Sequence, residues 1–169
     1  MLLWLPVGVV HMPVVAYIRG VSSDLSVTLV LLACVGLCQR LGGVTWMSSR
    51  DRTAALAVVA TAAVLLYPTA LGWGNFDAYR LGWGSPALLG GLLMLCIASW
   101  MLKFRLLPFL IAAALLAWVG GVMESTNLWD YLMDPWLVVL AFAHGVRIGV
   151  AKLFELRKPP RSSPAARHG

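Results

Sequence analysis

Four stretches of this chain, Leu2–Ile18, Thr53–Leu71, Pro86–Leu102 and Leu106–Met123, contain no Asp, Glu, Lys or Arg. A helix that lies on a water-facing surface needs a polar face, and these stretches have none. Each approaches the roughly 20 apolar residues that cross a bilayer. Two further apolar stretches complete the pattern. Leu25–Leu41 ends at Arg40, and a segment starting at Pro135 fades after Val150 beyond Arg147.

Composition agrees with that reading. The 169 residues are 60% hydrophobic and 12% charged, and the mean hydropathy is +0.84. Soluble domains are about 45–50% apolar and about 25% charged. The expected fold is all-α: a polytopic helical membrane protein of about six transmembrane helices, five if Leu2–Ile18 does not span. Six spans use roughly 120 residues, which leaves no room for a soluble domain. The bundle is expected over residues 1–156. Residues 157–169, with Pro159, Pro160 and Pro164 among basic and small residues, read as a disordered basic cytoplasmic tail. The N-terminus lacks a basic leader, and Pro6, His11 and Pro13 interrupt its apolar run. It therefore reads as a retained first span rather than a signal peptide.

Start signals mark several spans. Ser22, Ser23 and Asp24 are candidate N-caps for the second. Ser85–Pro86 and Asp134–Pro135 carry an N-cap followed by proline at the first helical position. Lys103-Phe104-Arg105 reads as a tight turn. The tetrapeptide Leu-Gly-Trp-Gly occurs at Leu71 and again at Leu81. Ten residues are too few for a repeating structural unit, so these read as two glycine turns, each with an interfacial tryptophan.

Orientation follows from charge. Arg40, Arg50, Arg52, Lys103, Arg105, Arg147, Lys152, Arg157, Lys158, Arg161 and Arg167 fall on one side; only Arg19 and Arg80 fall on the other. Short loops make the positive-inside rule decisive. Both termini are expected in the cytoplasm, in the plasma (inner) membrane of a bacterial-type cell. The net charge of +6 is then topology, not a nucleic-acid footprint. Asp24, Asp77, Glu124, Asp130 and Asp134 collect on the outer side, leaving a weakly acidic face with Trp73, Trp83, Trp129, Tyr131 and Trp136 around it.

That outer face is where function is sought. Glu124, Asp130, Asp77 and Arg80 are the candidate catalytic or binding groups, since carboxylates with one arginine can supply acid and base to a lipid-linked headgroup. Asn127, Trp129, Tyr131 and Asp134 are further outer-face candidates. The competing reading is structural: aromatics form an interfacial belt, Asp134 caps a helix, and Arg80 pairs with a nearby acid. Gly145 and Gly149 form a small-residue motif suited to close helix packing, expected within the bundle. His11 and His144, each near the middle of a segment, read as polar helix–helix contacts rather than haem ligands.

No cofactor and no metal are expected. Cys34, Cys38 and Cys96 lie in apolar stretches and behave as small hydrophobes, and two thiols on one helix face are too few for structural zinc. No nucleotide, hydrolase or metalloprotease motif is present. The functional expectation is an accessory or scaffold component of the cell envelope. One alternative is a small enzyme acting on a lipid or lipid-linked headgroup at the outer interface; another is a subunit of a transporter or channel. Expected partners are membrane lipids and either a membrane-protein partner or a homo-oligomer, with no nucleic acid.

Overall fold

The computed structural model describes residues 25–156 apart from 44 and 46, together with 6–7 and 12–13. Six α-helices form the body: α1 (Val27–Gly42), α2 (Ser49–Ala70), α3 (Pro86–Met101), α4 (Leu106–Val119), α5 (Leu128–Leu132) and α6 (Pro135–Leu156). A 3-10 turn occupies Ala78–Gly82. Near the N-terminus, β1 (Pro6–Val7) pairs antiparallel with β2 (Met12–Pro13), Pro6 opposite Pro13 and Val7 opposite Met12.

That pairing corrects the expected first span. Proline lacks the N–H a helix interior requires, and at Pro6–Val7 and Met12–Pro13 the backbone is extended rather than helical. The remainder of Leu2–Ile18, including His11, lies outside the described residues, as do the proposed caps Ser22–Asp24 and the tail 157–169. Among the described residues, five apolar helices of 14 to 22 residues remain.

Local chemistry explains where they begin and end. Ser26, not Ser22–Asp24, caps α1, its hydroxyl accepting from the Leu29 amide at 3.1 Å. Gly43 then ends α1 in the left-handed region at φ 65°, where glycine pays no Cβ penalty. Ser48 caps α2. Arg50, Asp51 and Arg52, expected in a loop, therefore lie in the first turn of that helix. Ser85 caps α3 with Pro86 at its start, as expected. The tight turn after α3 places Lys103 at φ 62°, with the Phe104 amide reaching back to the Ser99 carbonyl at 2.9 Å. α4 stops at Gly120, short of Met123, whereas α6 runs on to Leu156.

α2 shares the centre of the bundle with α4. It packs along α6 and also touches the 3-10 turn and α4, while α1, α3 and α5 rest on α4. Its buried residues Ala55, Leu56, Val59, Ala63 and Leu66 form one stripe. Ala55, Ala63 and, from α6, Ala141 are small enough to let backbones approach closely. Leu110, Ile111 and Ala114 of α4 and Leu137 of α6 complete the core.

The loops sort to two ends. At one, the Arg50 guanidinium lies 4.7 Å from the centre of the Phe104 ring, tying the α1–α2 and α3–α4 connections together. At the other, the Ser26 amide donates to Asp134 Oδ2 at 2.8 Å, and residues 77–84 meet residues 123–131. Helix lengths differ. α2 and α6, 22 residues each, are long and apolar enough to cross a membrane; α1 and α3 have 16 residues and α4 has 14.

Candidate functional site

The acidic end is a knot of hydrogen bonds between two connections. Asp77 accepts from the Tyr79 amide at 3.0 Å and so starts the 3-10 turn. Asn127 plays the same part for α5, accepting from the Trp129 amide at 3.0 Å. These two caps set the connections side by side. Asn127 Nδ2 then donates to the Tyr79 carbonyl at 3.1 Å, and Trp129 Nε1 donates to the Ala78 carbonyl at 3.0 Å.

Asp130 is the one carboxylate that crosses the knot by side chain alone. The Tyr79 hydroxyl donates to it, 3.0 Å from both Oδ1 and Oδ2, and the Ser125 hydroxyl donates to Oδ2. Burial, then the Asp130 charge and this hydrogen bond, push the Tyr79 phenol up to about 12. Tyr79 also meets Trp83 edge to face, ring centres 5.6 Å apart. Beside Asp130 a cleft of about 380 Å³ is walled by Leu66, Tyr67, Ala70, Trp129, Met133 and Pro135.

The second copy of Leu-Gly-Trp-Gly belongs to this knot and the first does not. A Cβ on Gly82 would sit 2.6 Å from Asn127 Cγ and 2.7 Å from Trp129 Cδ1. Gly72 and Gly74 meet nothing, but their φ angles of 89° and 95° need glycine. Thus the first copy only turns the chain, whereas the second both turns it, at Gly84 with φ 80°, and admits a neighbour at Gly82.

The remaining candidates fall into two groups. Asn127, Tyr131 and Asp134 are buried and turned inward rather than outward. Tyr131 accepts from the Met123 amide at 3.1 Å and lies 3.0 Å from the Ser125 carbonyl, to which its hydroxyl donates. Asp134 accepts from Ser26 and, at 2.8 Å, from the Leu137 amide, confirming the cap on α6. Glu124 and Arg80 are exposed. Of the expected aromatic belt, Trp73, Trp83 and Trp136 are exposed, whereas Trp129 and Tyr131 are spent within the knot.

Elsewhere, His144 bridges helices as expected: its Nε2 is 3.0 Å from Thr53 Oγ1. The expectation that Gly145 and Gly149 pack inside the bundle is corrected. Both are exposed, with open space where a Cβ would stand. Cys34 and Cys38 are exposed rather than buried. Among the described residues no group of three or more His, Cys, Asp or Glu could hold a metal ion.

Sequence reasoning missed Ser26 and Thr53. Their roles depend on partners 108 and 91 residues away, which no local pattern announces. Gly82 had a signal, the repeated tetrapeptide, but repetition alone does not separate a turn glycine from a contact glycine. No protein-family model, curated protein or solved structure matches this chain.

Proposed function

We propose that the protein is a multi-pass plasma-membrane component of the cell envelope, acting as an accessory or scaffold protein with its knot outside and its basic end in the cytoplasm. Exposed apolar surface supports the membrane setting. Leu65, Leu93, Met94, Leu116, Val139 and Phe142, from four helices, are all exposed, and extensive exposed apolar surface marks a membrane or protein interaction site. α4, at 14 residues, is only about 21 Å long, against a hydrocarbon core of about 30 Å. Such mismatch is met by local thinning at fractions of a kcal/mol per ångström.

The observation that carries the scaffold role is the saturation of the knot. Its polar side chains hydrogen-bond one another, and no buried side-chain polar atom lacks a partner among the described residues. That arrangement rigidifies. It leaves Arg80, Glu124, Trp73, Phe76 and Trp136 on the surface as a recognition face for a membrane-protein partner or a second copy. Purification in mild detergent followed by mass spectrometry tests this. A stoichiometric protein partner or a homo-oligomer is expected; a strictly monomeric, partner-free particle sinks the scaffold reading.

A second reading, an outer-interface enzyme acting on a lipid-linked headgroup, has one observation in its favour. The Asp130 carboxylate and the Tyr79 hydroxyl border the cleft beside α2. Asp130→Asn would abolish such an activity at normal expression, and retained function would remove this reading. The transporter reading has less support: the interior cavity of about 150 Å³ is lined by apolar side chains except for Thr28.

A further inference from the structure

Opposite the knot, α1 leans away from the α2–α6 pair and leaves a groove of about 660 Å³. Its mouth carries one arginine from each wall: Arg40 near the end of α1, Arg52 in the first turn of α2 and Arg147 on α6. Its floor holds the Thr53–His144 hydrogen bond. Deeper, the walls are apolar, with Leu32, Leu56 and Leu140 facing the space down to Leu29. Asp51 and Glu155, the two carboxylates of this end, do not line it.

Two features identify the occupant. Three guanidiniums without a lining carboxylate select an anion, and guanidinium suits phosphate through paired hydrogen bonds. The apolar wall from Arg40 to Leu29 is about 16 Å long at 1.5 Å per residue, close to the roughly 15 Å of one leaflet's hydrocarbon. A small soluble anion has no use for such a wall; an acyl chain does. The chain's own flanks do not supply the charge. Residues 1–23 and 157–169 contain no Asp or Glu.

We propose that the groove between α1, α2 and α6 holds one anionic phospholipid, its phosphate against Arg40, Arg52 and Arg147 and an acyl chain along Leu32, Leu56 and Leu140. This rests on the membrane reading above and deepens it. The lipid restores contact between α1 and α6 where protein atoms leave them apart, so it is a structural ligand of the cytoplasmic half of the bundle.

Native mass spectrometry of the full chain in mild detergent tests the site. Phosphatidylglycerol and phosphatidylcholine of equal chain length are added in turn. One phosphatidylglycerol is expected per protein, held on the order of tenfold or more tighter than phosphatidylcholine. The R40Q/R52Q/R147Q variant loses that preference, while Arg105→Gln keeps it. Gly36→Phe provides an independent variant: Gly36 lines the groove and has open space at its Cβ position. The new ring occupies the acyl path while all three guanidiniums remain, and is expected to weaken retention about tenfold. Equal retention of the two lipids by the unmodified protein overturns the proposal, as does unchanged retention in both variants. Binding of glycerol phosphate as tightly as the whole lipid overturns it too, since the site is then for a soluble anion. A disulfide formed in membranes between Gly36→Cys and a cysteine placed in Leu2–Ile18 would assign the groove to the chain's own segment instead. Recovery of the protein in the soluble fraction is a different failure, that of the membrane reading itself.

Discussion

The Tyr79 hydroxyl reaches Asp130 across 51 residues of chain, 3.0 Å from each carboxylate oxygen. One proton is thus shared between two oxygens of a charged acceptor, and the bond joins the 3-10 turn to α5. Removing the hydroxyl in Tyr79→Phe leaves Asp130 with Ser125 alone. The expected cost is about 1–2 kcal/mol, read as a lower thermal midpoint in detergent. The pH dependence follows from the phenol. Its proton is held more tightly when folded, the value rising from 10.0 to about 12. The stabilisation is therefore complete below pH 10 and lost as pH rises toward 12. The gap between the parent and Tyr79→Phe should narrow over that window; a gap that widens contradicts the assignment.

Alanine at the two copies of Leu-Gly-Trp-Gly separates their roles. Gly82→Ala drives a methyl into Asn127 and Trp129 and is expected to cost about 3 kcal/mol or more by overpacking. Gly72→Ala meets open space and only the strain of φ 89°, about 1 kcal/mol. Unfolding midpoints in the reverse order would refute the division.

Asp134 is expected to be the most costly carboxylate of the knot end to lose. Asp134→Ala uncaps α6 and leaves the Ser26 amide without its partner. Together these amount to about 2–4 kcal/mol. Glu124→Ala, at an exposed position, should fall within about 0.5 kcal/mol of the parent. Comparable losses for the two would contradict the inward placement of Asp134.

Gly145→Ala and Gly149→Ala add methyls into open space on α6. A folded monomer should tolerate both and gain at most about 1 kcal/mol from helix propensity. Loss of an oligomer band in crosslinking, with the fold intact, would show that this stripe serves an intermolecular contact; destabilisation of the monomer itself would contradict the exposed placement.

Much of the architecture was legible in the residues. The uncharged runs located α2, α3 and α4 because excluding charge is the one requirement every residue of such a helix shares. Ser85–Pro86 and Asp134–Pro135 set their helix starts because capping is local chemistry. The segregation of cations foretold which loops share an end, as the Arg50–Phe104 contact shows. What escaped was set by distant partners. α5 and the 3-10 turn have five residues each, too short for periodicity, and are held by bonds from Asn127 and Trp129 to the facing connection. Gly145 and Gly149 carry a packing motif, yet among the described residues no helix lies against them. The acids of the knot end looked like a site because a sequence does not reveal which carboxylates are already spent on amides and hydroxyls.

The central claim is a membrane-embedded bundle with the knot outside and the arginine end inside. Cysteine labelling of intact cells tests it most directly. Cys34, Cys38 and Cys96 are replaced by alanine, and single cysteines are placed at two exposed positions, Phe76 in the knot end and Thr45 between α1 and α2. A membrane-impermeant maleimide should label Phe76→Cys in whole cells and Thr45→Cys only after lysis. The opposite pattern, or equal labelling of both before lysis, contradicts the account.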